Sequence, residues 1–190
     1  EDVGKTITSS MHWGMRTGMI FPIWGIMKIL GVSELSSMIY PMILSAGTLV
    51  FIYLAGRNLF NSRVALIAAS IYAILPLDVY YSGVMYPDGP VVLFSALFLY
   101  LLYKLSLNEK VDIKRSLLAG FILGIGFYIR ETSLLLFVAF PILFFRAPKK
   151  GKYIATVLYI ITGLAIAISI EMMVLWLLTG DPHARFHILA

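Results

Sequence analysis

Five charged residues lie at the ends of apolar segments in this sequence, where their side chains could transfer protons and bind anions. A carboxylate within hydrogen-bond reach can accept the proton of an attacking hydroxyl group. A guanidinium group can stabilise the negative charge that develops on a departing phosphate. The five residues are Asp78 in "ILPLDV", Asp88 in "MYPDGP", Arg130 and Glu131 in "YIRET", and Glu171 in "ISIEMM".

The composition indicates an integral membrane protein. Of 190 residues, 60% are hydrophobic and 13% are charged, and the mean hydropathy is +0.90, which is outside the usual balance of soluble domains. The chain has no Cys, which excludes disulfides, a thiolate nucleophile and Cys-ligated metals. The net charge of +5 is therefore no sign of a nucleic-acid partner, because in a membrane protein the location of the cations matters more.

Six apolar runs predict an all-α fold, a polytopic transmembrane helix bundle. Backbone groups inside a bilayer must be hydrogen-bonded within the segment, and the runs lack the alternation that barrel strands show. Residues 38–180 form this bundle, and residues 181–190 begin an outer loop. The predicted spans are 38–56, 64–79, 89–105, 116–129, 132–146 and 153–178.

Residues 1–37 are predicted to form an outer loop with interfacial helices, because Trp13 and Trp24 suit a membrane interface and the apolar stretch is short for a span. The sequence begins at Glu1 rather than Met and stops soon after an apolar segment. We therefore expect it to be a fragment of a longer protein.

The positions of Lys and Arg orient the bundle, because such residues are in excess on the cytoplasmic side of a membrane. Ten lie on one side, which we call the inside, and five on the other. The inner ten are Arg57, Arg63, Lys104, Lys110, Lys114, Arg115, Arg146, Lys149, Lys150 and Lys152, and the outer five are Lys5, Arg16, Lys28, Arg130 and Arg185.

Several predicted helices are too short to reach the outer surface. Arg63 to Asp78, and Arg115 to Arg130, each span about 22 Å as helix, whereas the hydrocarbon core is about 30 Å thick. Charges at such depth face water-filled cavities or pair with one another. We therefore expect a polar cavity that opens on the outer leaflet, with the five charged residues at its floor.

Five segments in a fixed order carry a resemblance to a known family. They are "MRTGMIFPIW", "YLAGRNLFNSRVALIAA", "ILPLDVYYSGVMYPDGPVVLF", "GIGFYIRETSLLL" and "LLTGDP". The chain resembles the N-terminal half of membrane glycosyltransferases of the GT-C superfamily, in particular the protein O-mannosyltransferase and aminoarabinose-transferase type. The resemblance implies a GT-C-like fold and a sugar donor linked to polyprenyl phosphate.

The resemblance also implies roles for individual residues. Asp2 in "EDV" falls at the acidic position of the first outer loop, which supplies the catalytic base, and Glu1 is the other candidate because the family order is Asp-Glu. Arg130 falls where the family places a cation on the lipid phosphate, and Arg16 in "MRTG" matches a second basic position. The residues assigned to the cavity wall are Asp88, Glu131, Asp78 and Glu171.

The implied reaction is transfer of the sugar to an acceptor hydroxyl at the outer leaflet, with inversion at the anomeric carbon. The acceptor would be a protein, a lipid or a glycan. No cofactor is required by the spacing, although Asp2 and Asp88 could share a divalent cation, which prefers carboxylate oxygens. We expect the protein in a prokaryotic plasma membrane, with its active site facing outside.

A purely structural role is the alternative for each of the five charged residues at the cavity floor. Asp88 could be only an N-cap, since Asp suits that position and Gly89 and Pro90 follow it. Arg130 and Glu131 could form a local polar break, Asp78 could end a helix, and Glu171 could hydrogen-bond within the bundle.

Two other functions also fit the pattern. Broken helices with buried charges occur in transporters and flippases, although the segment shows no inverted repeat. A non-catalytic membrane subunit could share the same fold.

Overall fold

The computed structural model describes residues 16–108, 110–141, 145 and 150–181. These residues form an all-α bundle without strands in the described ranges, which confirms the predicted fold class. The elements in chain order are α1 (Thr17–Leu30), α2 (Glu34–Leu59), α3 (Ser62–Ala73), α4 (Pro76–Ser82), α5 (Asp88–Leu107), α6 (Ile113–Ile129), a 3-10 helix (Glu131–Ala139) and α7 (Lys150–Thr179).

Side-chain caps define where three of the helices begin. Ser33 and Ser36 form a reciprocal capping box before α2. Asn61 accepts a hydrogen bond from the Val64 amide at α3, and Asp112 accepts one from the Arg115 amide at α6. Such bonds satisfy amides that have no partner within the helix, so these helix starts are encoded locally.

The predicted continuous span 64–79 is broken in the structure. α3 ends at Ala73, α4 begins at Pro76, and the two helices meet at an angle of 63°. Pro76 lacks an amide hydrogen, and its ring disfavours helical geometry at Leu75, where the backbone is extended. The proline therefore converts one straight helix into a bent pair.

The predicted α-helical span 132–146 also differs from the structure. Arg130 is extended, and the chain from Glu131 to Ala139 forms a 3-10 helix, whose period is three residues per turn. Accordingly Thr132, Leu135 and Val138, which are three residues apart, are all exposed. Nine residues rise about 18 Å in this form, and Phe140 and Pro141 continue as α-helix.

Three described helices are long and apolar enough to cross a membrane, namely α2, α5 and α7, and the bent pair α3–α4 makes four if it counts as one span. The protein is thus an integral membrane protein. Of the other two predicted spans, 116–129 lies in α6, which has 17 residues, and 132–146 begins as the 3-10 helix. The total of six spans stays a prediction.

The tightest contact in the bundle is the crossing of α6 and α7, where backbone meets backbone. A methyl group at Gly120 would lie 2.8 Å from the Ile160 carbonyl carbon, and one at Gly163 would lie 3.0 Å from that of Leu117. Small residues allow this approach between membrane helices. The buried core beside the crossing consists of Phe98, Leu102, Leu105, Ala119, Leu123 and Ile160.

We predict that Gly120→Ala and Gly163→Ala each destabilise the protein, because the backbone of the facing helix cannot move aside. Overpacking of this kind costs up to about 3 kcal/mol, measurable as a fall in Tm in detergent. Gly25→Ala is the matched control, because a methyl group at this helical glycine has no neighbour within 4 Å. An unchanged Tm for both crossing variants would contradict the packing.

Candidate functional site

An ion pair joins the ends of two helices at one end of the bundle. The Nη1 atom of Arg130 contacts Oδ1 of Asp88, with side chains 36% and 20% exposed. Asp88 begins α5 and Arg130 follows the last residue of α6, so each charge complements the dipole of its own helix. Both side chains are therefore partly buried in the bundle and partly exposed at its surface.

Asp88 is not the N-cap that the sequence allowed as an alternative. The N-cap of α5 is Pro87, and no side chain caps this helix. Asp88 instead occupies the first helical position, since Pro87 already has helical backbone angles and its carbonyl accepts from the Val91 amide. The carboxylate is thereby available to Arg130.

Stacked tyrosines fix the chain just before Asp88. The rings of Tyr81 and Tyr86 are parallel within 9°, with centroids 5.0 Å apart. Gly89 lies against Tyr81, because a methyl group there would lie 3.3 Å from the Tyr81 Cβ atom. The aromatic stack therefore ties α4 to the start of α5 and holds the backbone that carries Asp88.

Helix α1 docks on the end of α6 and brings Arg16 to the same end of the bundle. A methyl group at Gly18 would lie 2.8 Å from the Ile129 side chain and 2.9 Å from the Tyr128 Cβ atom, so the two helices are in close contact there. Arg16 precedes Gly18 by two residues, and Arg130 directly follows Ile129. The two predicted phosphate-binding cations thus flank one helix–helix contact.

Glu171 lies on α7 and links that helix to α1. Its side chain is buried and accepts a hydrogen bond from the Thr17 hydroxyl, while the Tyr40 hydroxyl donates to the Gly18 carbonyl at 2.9 Å. A pocket of about 250 Å³ adjoins these groups. It shares Phe21 and Val174 with an apolar pocket of about 540 Å³ that extends to Trp24.

Asp78 belongs to a separate hydrogen-bond network. Its carboxylate accepts from the Ser45 hydroxyl at 2.6 Å and from the Tyr72 hydroxyl. These bonds join α4 to α2 and α3 across the bend at Pro76. The five charged residues therefore divide among at least three sets of partners rather than meeting at one point, and Glu131 adjoins the Arg130–Asp88 pair through the chain.

Glu1 and Asp2, the predicted base candidates, lie outside the described residues. Asp2 was also one of the two predicted ligands for a divalent cation. Within the described ranges no group of three or more His, Asp or Glu side chains is placed to hold a metal ion, and the Asp88 carboxylate contacts Arg130. The shared divalent cation stays a prediction.

A family profile described as dolichyl-phosphate-mannose-protein mannosyltransferase matches residues 18–176. The chain belongs to this family, and it is a membrane glycosyltransferase of the GT-C type. The family supports glycosyl transfer from a polyprenyl-phosphate-linked sugar in general. No curated protein and no solved structure matches the chain.

The sequence did not predict a role for several residues that contact the site at this end of the bundle. Thr17, Tyr81 and Gly18 have ordinary residue types, and their roles depend on contacts between segments far apart in the chain. The available signal was position alone, since Thr17 and Gly18 directly follow Arg16 in "MRTG".

We predict that a double-mutant cycle between Thr17 and Glu171 gives a coupling free energy of about 1.5–3 kcal/mol, the range for a hydrogen bond to a charged group. The variants are Thr17→Val, Glu171→Leu and their combination, because a glutamine at position 171 would still accept the hydrogen bond, and the readout is stability in detergent. The control cycle pairs Glu171→Leu with Thr162→Val, because Thr162 is exposed and donates within its own helix to Leu158. A coupling near zero for the first pair would contradict the link.

Proposed function

We propose that this protein transfers a sugar from a polyprenyl-phosphate-linked donor to an acceptor hydroxyl at the outer membrane leaflet, with inversion at the anomeric carbon. The family assignment supports the general reaction, and the Arg130–Asp88 pair is the observation that carries the assignment of the site. A partly exposed guanidinium at a helix end is suited to a lipid phosphate, because that phosphate remains near the membrane surface.

In this proposal Arg130 binds the donor phosphate and Asp88 orients Arg130. A guanidinium has five N–H donors, so contact with one carboxylate oxygen leaves donors for phosphate oxygens. When the bond between the anomeric carbon and the phosphate oxygen breaks, negative charge grows on the phosphate. A preorganised cation stabilises that charge most strongly where water is excluded, and Arg16 is the second cation assigned to this task.

The proposed base is Asp2 or Glu1. As the acceptor hydroxyl attacks the anomeric carbon, the carboxylate takes its proton and polyprenyl phosphate departs from the opposite face. A single displacement of this kind inverts the configuration, whereas two successive displacements through a covalent intermediate retain it. The acceptor would be a protein, lipid or glycan hydroxyl.

The apolar pockets beside α1 suit the hydrocarbon part of such a donor. They are lined by Phe21 and Trp24 of α1, the helix that Arg16 precedes, and by Val174 and Glu171 of α7. A donor whose phosphate contacts Arg130 and Arg16 would have its chain directed along this surface. The bent pair α3–α4 resembles the broken helices of transporters, but sugar transfer and not translocation is the reaction the family supports.

We predict that Arg130→Gln weakens binding of polyprenyl phosphate about 10- to 100-fold, because hydrogen bonds to charged groups contribute about 1.5–3 kcal/mol. Asp88→Asn should weaken binding less, and should have no further effect in the Arg130→Gln background, since it acts through Arg130. Binding to the purified protein in nanodiscs would be measured by intrinsic fluorescence.

Arg115→Gln is the matched control for this experiment. Arg115 lies on the same helix as Arg130 and also pairs with an aspartate, Asp112 at 3.4 Å, but at the opposite end. The control should bind polyprenyl phosphate as the wild type does. Equal affinity of Arg130→Gln and Arg115→Gln would overturn the assignment of the phosphate site.

We predict that one of Asp2→Asn and Glu1→Gln lowers sugar transfer about 100- to 10,000-fold without changing the affinity for polyprenyl phosphate, because a general base acts in the transition state. The assay would follow labelled mannose from polyprenyl-phosphate-mannose into acceptors in membranes containing the whole protein. The other variant serves as the control. Full activity in both would show that neither carboxylate is the base.

A further inference from the structure

A third pocket lies between α2, α3 and α5, along the later part of α5 and not at its start, where Asp88 lies. Its volume is about 440 Å³ and its lining is almost entirely apolar, including Phe51, Leu59, Val64 and Leu99. Such a volume lies within the range of pockets that bind small molecules. Phe60 and Val64 at its edge are exposed, so the pocket opens sideways from the bundle, where lipid surrounds the protein.

One end of this pocket has a polar rim built around Tyr100. The Tyr100 ring lines the pocket, and its hydroxyl accepts a hydrogen bond from Asn58 Nδ2 at 2.6 Å. The Lys104 ammonium lies 5.6 Å from the Tyr100 ring centroid and 3.5 Å from Asn58 Oδ1. The apolar space and the cation are therefore parts of one arrangement.

Two further cations are next in sequence to residues that line the pocket. Arg57 follows Gly56 and Arg63 precedes Val64, both of which line the pocket, and both arginines are exposed. Across the described ranges, neither arginine nor Lys104 forms an ion pair with a carboxylate. Each of these three cations thus directly precedes or follows a pocket-lining residue in the chain, and none is compensated by a described acidic side chain.

The rim lies at the end of the bundle where the cations are concentrated. Lys152 at the start of α7 donates to the Leu105 carbonyl at 3.2 Å, which places the beginning of α7 beside the end of α5. The neighbouring start of α6 adds Lys114 and Arg115. Membrane proteins carry such an excess on the cytoplasmic side, where anionic lipids attract clustered Lys and Arg.

We propose that this pocket binds an anionic glycerophospholipid from the leaflet on the cation-rich side. Its phosphate is held by Lys104, Arg57 and Arg63, and one acyl chain lies along Phe51 and Leu99. A neutral helix packed over this mouth would leave the cations desolvated and unpaired, which is costly, whereas a lipid phosphate neutralises them. The site is separate from the proposed donor site and does not depend on the proposed reaction.

The test is a lipid titration of the complete protein, followed by native mass spectrometry with phosphatidylglycerol and phosphatidylcholine of the same chain length. The wild type should bind phosphatidylglycerol at least about tenfold more tightly. Lys104→Gln should weaken phosphatidylglycerol binding about fivefold, the effect of one cation near the surface, and leave phosphatidylcholine unchanged. Lys114→Gln removes an exposed cation on the same side away from the pocket and should have no effect.

A second variant tests the pocket itself. Ala68→Phe places an aromatic ring in the space for the acyl chain while keeping all three cations, and should reduce binding of both lipids. Equal binding of the two lipids by the wild type, or equal losses in Lys104→Gln and Lys114→Gln, would overturn the proposal. If Ala68→Phe does not fold, the comparison of the two lysine variants still decides between these outcomes.

Discussion

The crossing of α6 and α7 is the contact that positions the rest of the site. Lipid tails are as apolar as the helices, so membrane helices associate through close packing and hydrogen bonds rather than through hydrophobic burial. Gly120 and Gly163 remove side chains where the two backbones meet. Because α6 leads directly to Arg130 and α7 carries Glu171, both charged side chains depend on this crossing for their positions.

Charged groups near the hydrocarbon region need partners, and the bundle supplies them from neighbouring helices. Arg130 has Asp88, Glu171 has Thr17, and Asp78 has two hydroxyl donors. Each partner comes from a different helix, so the polar groups also determine how the helices are arranged. The chemistry proposed here and the stability of the bundle consequently share the same side chains.

The sequence was sufficient for the fold class, the family and the location of Asp88 and Arg130 at helix ends, because these depend on composition and local order. Glu171 differs, since its helix continues beyond it to Thr179. It did not give the pairing of Asp88 with Arg130, since such contacts depend on how distant segments pack. The bend at Pro76 had a local signal in "ILPLD", but the uninterrupted apolar run outweighed it. The 3-10 segment had no such signal, because apolar residues alone do not distinguish the two helical forms.

The 3-10 helix changes how far a short segment can reach. At about 2.0 Å per residue, Glu131–Ala139 extends about 18 Å, which an α-helix at about 1.5 Å per residue would cover only with twelve residues. Its three-residue period also aligns Thr132, Leu135 and Val138 in a straight exposed row. A single residue inserted before Thr132 would therefore rotate this row by about 120° about the helix axis. The three exposed side chains would then face the bundle, and a row that now packs on the bundle would be exposed.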